Sequence, residues 1–265
     1  MKNVSLNKAL KTAVKAAKAA GRLMRANWYL PKRVKVADAH DIKLELDVRS
    51  QKLIEKILRK AFPQIPLLGE EGDSGNVNAG YRWVVDPIDG TVNYFFGMPH
   101  AAVSIALQSR LKTKNSKFKT LLGVIYDPFT DELWTVTLDE PTRLNGRAVR
   151  VSKRAKLGDA IVAMGFSKSK INLNKSLPYL SRISRRVLKV RIMGSAALEL
   201  AYIASGRLDA YIERTINLWD IAAGGLMVER SGGEFYTQPA PGGKLRMVAS
   251  NGLLRRKLQI GNLLK

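Results

Sequence analysis

A chain of 265 residues with no cysteine and two histidines excludes disulfides, thiolate-held zinc, iron–sulfur clusters, thiol nucleophiles and any multi-histidine metal site. Its composition, 46% hydrophobic and 25% charged, is that of a globular chain long enough to bury a sizeable core. No apolar run reaches the roughly 18 residues of a membrane span, and Lys11, Lys15 and Lys18 interrupt any signal-peptide core, so a cytoplasmic protein is expected. Chemistry must then run on carboxylates, hydroxyls, backbone groups and bound cations. The net charge of +23 is unevenly spread. Residues 1–60 carry 16 basic and 5 acidic side chains, and residues 141–215 carry 16 and 4, whereas residues 61–140 carry 6 and 10. Such a basic shell around an acidic middle steers anionic ligands or binds nucleic acid non-specifically, and a solvated surface explains it equally well.

In chain order, residues 5–28 place Leu6, Ala9, Leu10, Ala13, Val14, Ala17 and Ala20 on one face of a basic helix, read here as a core-capping helix. Residues 31–40 read as a polar connector, and a second helix spans Leu44 to Leu58. Leu67-Leu68-Gly69 is a short strand that runs into Glu70-Glu71, and Tyr81 to Val85 is a strand that stops at Asp86. Further strands are expected at Ala101–Gln108, Leu121–Tyr126 and Leu133–Leu138, followed by an Asn145-Gly146 hairpin turn. Then come a strand at Ile161–Met164, helices at Leu177–Val187 and Ser195–Ser205, and a strand at Leu208–Ile212. A helix at Trp219–Glu229, a strand at Met247–Ala249 and a last helix from Leu253 complete the pattern. Mixed elements without strict βαβ alternation, and no long linker, predict a layered α+β architecture in one domain over residues 1–265.

The chemistry concentrates in the segment Asp86-Pro87-Ile88-Asp89-Gly90-Thr91. Its spacing lets Asp86 and Asp89 converge with the Ile88 carbonyl as a third oxygen. Gly90 permits close backbone approach, and Thr91 opens a helix whose N–H groups receive an anion. Oxygen ligands without His or Cys select hard cations, chiefly Mg²⁺. The Asp-x-Asp-x-Asp-Gly spacing of a calcium loop is absent.

Three blocks carry a resemblance: Gly69-Glu70-Glu71, Asp86-Pro87-Ile88-Asp89-Gly90-Thr91-Val92-Asn93-Tyr94, and Leu218-Trp219-Asp220-Ile221-Ala222-Ala223-Gly224. With Gly194-Ser195-Ala196-Ala197 and Asp209-Ala210-Tyr211-Ile212-Glu213 they resemble, in order and spacing, the inositol monophosphatase family over nearly the whole chain. The resemblance implies an α/β sandwich of alternating helix and sheet layers, a homodimer, and a lithium-sensitive, Mg²⁺-dependent phosphatase of a small phosphorylated polyol, first of all inositol 1-monophosphate. It assigns Glu70, Asp86 and the Ile88 carbonyl to one Mg²⁺, and Asp86, Asp89 and Asp220 to a second. Asp47 and Thr91 would orient the attacking water, and the Gly90 and Thr91 N–H groups would cradle the phosphate. Glu213, Asp89, Ser195 and Ala196 would contact polyol hydroxyls.

Relatives sharing the metal site act on fructose 1,6-bisphosphate, histidinol phosphate or 3′-phosphoadenosine nucleotides. Lys168, Lys170, Lys175, Arg185, Arg186, Arg191 and Arg214 are the basic residues that a second phosphate would use. A bacterial member is tied to ribosomal RNA transcription, so a nucleic-acid-associated protein is the competing reading, with weak non-specific binding expected. One departure stands out: the family's Asp-x-x-Thr-x-x-Asp reads Asp41…Leu44…Asp47 here, with Leu44 in place of Thr. Lys35 and Lys43 are equal candidates for the family's loop lysine.

Overall fold

The computed structural model of the chain describes residues 4–37, 42–111, 117–166, 170–254 and 256–258. It contains α1 (Leu6–Ala26), β1 (Val34–Ala37), β2 (Ile42–Leu44), α2 (Glu45–Ala61), β3 (Leu67–Gly69), β4 (Tyr81–Asp89), α3 (Thr91–Phe95) and β5 (Ala102–Arg110). These are followed by β6 (Phe118–Asp127), β7 (Glu132–Thr137), β8 (Glu140–Leu144), β9 (Arg147–Ala148), β10 (Ile161–Met164), α4 (Lys170–Ser184) and β11 (Lys189–Arg191). The chain ends with α5 (Ala196–Ala204), β12 (Ala210–Ile216), α6 (Leu218–Arg230), β13 (Glu234–Pro239) and β14 (Leu245–Ser250). Among the described residues no helix is long and apolar enough to cross a membrane.

Side-chain alternation along the strands dictates the layering. On β4, β5 and β6, Trp83, Val85, Val103, Ile105, Leu107, Leu122 and Val124 turn toward α1 and α2, while Val84, Ala102, Ala106 and Ile125 turn toward α5 and α6. Both faces are buried, which is why Ala101 to Gln108 reads as one apolar run. The sheet that these strands centre has seven strands in the order β3-β4-β5-β6-β7-β8-β9, antiparallel except for the β3–β4 pair. A second sheet, ordered β11-β10-β12-β14-β13, covers the other side of α5 and α6, and α4 packs on its outer face. Helix and sheet layers therefore alternate, as expected.

The middle helical layer is thin because its residues are small. Gly224 and Gly225 of α6 lie so close to Leu200 and the Phe235 ring that a Cβ at either would meet them at 2.5 Å. On the outer layer, Ala9, Ala13, Ala16, Ala17 and Ala20 are fully buried against the seven-stranded sheet, so α1 is a core helix, as the periodicity suggests.

Several boundaries differ from expectation, those of the strands through non-local pairing. The polar connector supplies β1, which pairs antiparallel with β2, while residues 38–41, including His40 and Asp41, lie outside the described residues. β4 does not stop at Val85 but continues through Pro87 to Asp89. Proline is tolerated there because the register with β5 shifts between Asp86 and Asp89, freeing it from the ladder. α4 begins at Lys170 rather than Leu177 and contains Pro178. β13, whose polar sequence hides it, pairs with β14 from Glu234 to Pro239. The expected helix from Leu253 is a set of turns with one Leu258 N–H to Leu254 C=O bond, and residues 259–265 lie outside the described residues. The Asn145-Gly146 turn forms as expected, with φ of 47° and 82° joining β8 to β9.

One buried ion ties the second sheet together. Asp209 has no exposed surface; it accepts from Arg154 Nε at 2.8 and 2.9 Å, from Ile161 N at 2.7 Å, and from the Ser152 hydroxyl. Removing it strands a cation and a buried N–H, so Asp209→Ala is expected to lose about 3–5 kcal/mol of stability. Arg143→Ala, which removes an exposed pair with Glu140 at 3.7 Å, should lose less than about 1 kcal/mol. Urea denaturation of the two variants checks the contrast.

Candidate active site

The bulge that lets β4 run through Pro87 also aims its last carboxylates. Asp86 Oδ1 accepts the Ile88 N–H at 3.0 Å inside the bulge, which leaves its other oxygen to face outward from the sheet end. Three residues on, Asp89 is met by the N-terminus of α5: its Oδ2 accepts the Ser195 hydroxyl at 2.5 Å and Ala197 N at 2.7 Å. Between β4 and α3, Gly90 holds φ at 94°, and a Cβ there would come within 2.9 Å of His100 O and 3.2 Å of Gly194 O. Glycine is required by both torsion and space.

Asp220, on the first turn of α6, accepts Asn217 N at 2.9 Å and so caps its own helix. This bond does not remove it from the site. Asp86, Asp89 and Asp220 each present an oxygen, all within 4.8 Å of one another. Glu70, at the end of β3, reaches Asp86 within hydrogen-bond distance. These four side chains, with Ile88, line a cavity of about 700 Å³ whose other walls include Gly90, Thr91, Gly194, Ser195, Ala196, Glu199, Tyr211, Glu213 and Lys244.

The electrostatics follow from crowding anions away from water. Burial, then the neighbouring Glu70, Asp89 and Asp220, push Asp86 well above the ordinary carboxylate range. Asp220 is raised in the same way by burial and by Asp89 and Glu70. Asp89 rises to about 6 through burial, held down by its Ser195 and α5 backbone bonds. Burial lifts Glu213 to about 7, against the lowering effect of the Tyr211 hydroxyl.

The cluster fits a hard divalent cation by the chemistry of its donors. All are oxygens, Asp86 and Asp89 are buried and Glu70 and Asp220 half-buried, and they repel one another unless a cation lies between them. The Ile88 carbonyl accepts the Thr91 hydroxyl at 2.9 Å and keeps a second lone pair for such an ion.

The remaining expected residues divide. Asp47 is 2% exposed at the start of α2, and burial raises it to about 8 with help from Glu71 and Glu70. Its Oδ2 accepts the Leu44 N–H at 2.6 Å, tying back the residue that stands in place of Thr, while its Oδ1 is buried without a partner and the residue is not among those lining the cavity. The Thr91 hydroxyl, spent on Ile88, is therefore not paired with Asp47. Of the two candidate loop lysines, Lys35 is exposed, whereas Lys43 Nζ lies 3.5 Å from Glu71 Oε1. Lys175, Arg185, Arg186, Arg191 and Arg214 do not line the cavity; Lys168 and the Lys170 side chain lie outside the description. The basic residue that does line it is Lys244, beside the β13–β14 turn, which no local pattern singles out. Glu199 and Tyr211 are cavity residues to which sequence reasoning gave no role; Glu199 sits between Leu198 and Leu200 and looks like an ordinary helix position.

The chain matches the model of the inositol monophosphatase family over residues 5–259. It is 35% identical over 228 residues to the Nus factor SuhB of Escherichia coli (strain K12), covering 84% of this chain and 83% of that one. It is 38% identical over 202 residues to the inositol-1-monophosphatase of Rhizobium meliloti (strain 1021), covering 76% and 73%. Among solved structures, the extragenic suppressor protein suhB from Bartonella henselae superposes with a TM-score of 0.86 at 34% identity, over 96% of this chain and 97% of that one. The inositol monophosphatase from Anabaena (Nostoc) sp. PCC 7120 gives 0.82 at 32%, over 98% and 96%. The chain belongs to the inositol monophosphatase family, a family of phosphatases.

A carboxyl whose pKa is raised by folding favours the protonated native state. Its stabilising contribution is complete below the ordinary carboxylate range near 4 and is lost as pH rises through the raised value. With Asp89 near 6, Glu213 near 7 and Asp47 near 8, the metal-free protein should lose thermal stability steadily between about pH 4 and 8. Millimolar Mg²⁺ at pH 8 should restore much of the loss. Melting curves with chelator and with Mg²⁺ across that range check both signs.

Proposed function

From membership in this family we propose that the chain is a Mg²⁺-dependent phosphomonoesterase acting on a small polyol phosphate, inositol 1-monophosphate first. The observation that carries the proposal is the cluster of Asp86, Asp89 and Asp220, with Glu70 on Asp86, at the wall of a cavity sized for such a ligand. In this reading Glu70, Asp86 and the Ile88 carbonyl hold one Mg²⁺, and Asp86, Asp89 and Asp220 hold the other. Bound there, the ions supply Lewis acidity toward the phosphoryl oxygens and acidify water.

The chain's own groups do the rest. Asp86 would belong to both ligand sets, and its Oδ1 bond to the Ile88 N–H holds the carboxylate in place for that role. Ser195 and the Ala197 N–H lock the rotamer of Asp89, which keeps one of its oxygens aimed at the cluster. The N-termini of α5 and α6 point positive dipole ends at the cavity and offset the phosphate's charge. The N–H groups of Gly90 and Thr91 border the same space and are suited to hold phosphate oxygens. The attacking water is assigned to Thr91, whose hydroxyl must turn from Ile88, with Asp47, buried and outside the cavity lining, offering its unpartnered Oδ1 to that hydroxyl. Glu213 accepts polyol hydroxyls, with Ser195 and Ala196 in the same lining. In the described lining Lys244 is the basic side chain that faces the phosphate ester. We propose one catalytic domain over residues 1–265, homodimeric and cytoplasmic.

Asp86→Asn is expected to lower phosphate release from inositol 1-monophosphate by about 10³-fold or more, since it weakens both ligand sets while leaving the fold intact. Glu213→Gln should raise KM more than it lowers kcat. Phosphate-release assays with Mg²⁺ titration check both, and tens of millimolar Li⁺ at low Mg²⁺ should inhibit the wild type.

A second reading is favoured by charge and by the relatives named Nus factor SuhB. Exposed Lys11, Lys15, Lys52 and Lys56 cover the outer helical layer, and Arg182, Arg185, Arg186 and Lys189 cover the opposite one, both apart from the cavity lining. We propose weak, sequence-independent nucleic-acid binding at these faces. Its log K should fall by about 0.9 per phosphate contacted for each log unit of salt on duplex DNA, and Asp86→Asn should leave it unchanged. Filter binding to RNA and DNA from low to physiological salt checks the slope; tight, salt-resistant, sequence-selective binding would overturn it.

A further inference from the structure

Glu199 is a buried carboxyl in the cavity wall to which the proposed reaction gives no task. It is 1% exposed, and its Oε1 accepts Met193 N at 3.0 Å across the turn that leads into α5. Opposite it on β12, Tyr211 and Glu213 are two residues apart and so share one face of the strand. The Tyr211 hydroxyl, from a ring only 2% exposed, donates to Glu213 Oε2 and also lies within hydrogen-bond reach of Glu199. Glu213 is fixed from beneath as well: a Cβ at Gly165 would stand 2.1 Å from its Oε2, so only glycine leaves the carboxylate room to lie there.

Tyr211 therefore stands between two buried carboxyls, its hydroxyl on Glu213 Oε2 and within reach of Glu199, whose own Oε1 is tied to Met193 N. Glu199 fixes the phenol, the phenol fixes Glu213, and Gly165 leaves Glu213 room to lie against the wall. A carboxyl held in this way presents its remaining lone pairs to the cavity in one orientation.

We propose that Glu199 and Tyr211 are positioning residues that hold Glu213 as the hydroxyl-accepting wall of the cavity and thereby select polyol phosphates over phosphate esters without hydroxyls. This rests on the polyol phosphatase reading. Glu199→Gln preserves this arrangement, since an amide keeps an oxygen for Met193 N and an N–H for Tyr211. Glu199→Ala and Tyr211→Phe break it from either side.

Steady-state kinetics of the wild type and these three variants with inositol 1-monophosphate and with phenyl phosphate, in saturating Mg²⁺, test the proposal. Glu199→Ala and Tyr211→Phe should each raise KM for inositol 1-monophosphate about tenfold and change kcat less than about threefold. Phenyl phosphate kinetics should stay within about twofold, and Glu199→Gln should match the wild type. If Glu199→Ala does not fold, Tyr211→Phe carries the test alone. An unchanged KM for inositol 1-monophosphate, an equal loss on both esters, or a Glu199→Gln variant with a similar tenfold rise in KM would overturn it. Wild-type protein that hydrolyses phenyl phosphate but not inositol 1-monophosphate would instead overturn the polyol reading, and this proposal with it.

Discussion

Mutual repulsion among buried carboxylates is the constraint on which the rest of the structure depends. Asp86, Asp89 and Asp220 bring oxygens within 4.8 Å of one another at the wall of the cavity, the first two buried and the third half-buried, with Glu70 on Asp86. Nothing in hydrophobic packing rewards this; burial and like charge both oppose ionisation. The arrangement persists because each acid is anchored by rigid backbone. The Asp86 anchor is the bulge of β4, that of Asp89 is the first turn of α5, and that of Asp220 is its own helix start. Stability is thus spent at the site and recovered in the layered core. Under the proposed function that cost is met when a cation binds, as expected where a sequence breaks local rules at a functional site.

The layers explain how residues so far apart in the chain meet. The seven-stranded sheet contributes its β4 end, the thin helical layer contributes two helix N-termini, and the five-stranded sheet contributes Glu213. Small residues in α6 let the sheets approach closely enough to share one cavity. A bulkier middle layer would separate the acidic cluster from Glu213.

Much of this was legible in the sequence where short-range chemistry decides the outcome. The Asp86–Thr91 segment, the close backbone approach at Gly90, the Asn145-Gly146 turn and the apolar runs of β5 and β6 each follow from residues near one another. What was hidden depends on distant partners. β1 and β13 are polar strands that exist because β2 and β14 offer them an edge. The length of β4 depends on a register shift against β5, and proline alone argues for a stop. Glu199 lies among alanines and leucines with no local mark, and only Tyr211, across the cavity on another element, gives it meaning. Lys43 and Lys35 look alike until Glu71 is found beside one of them.

The claim that the acidic cluster is a paired divalent-cation site is tested most directly by crystals grown with Mn²⁺ and inorganic phosphate, with data collected at the manganese edge. The account predicts two anomalous peaks bridged by Asp86, one also met by Glu70 and the Ile88 carbonyl and the other by Asp89 and Asp220, with phosphate against both. Phosphate bound in the cavity with no manganese between these carboxylates, or manganese confined to other surfaces of the protein, would contradict it.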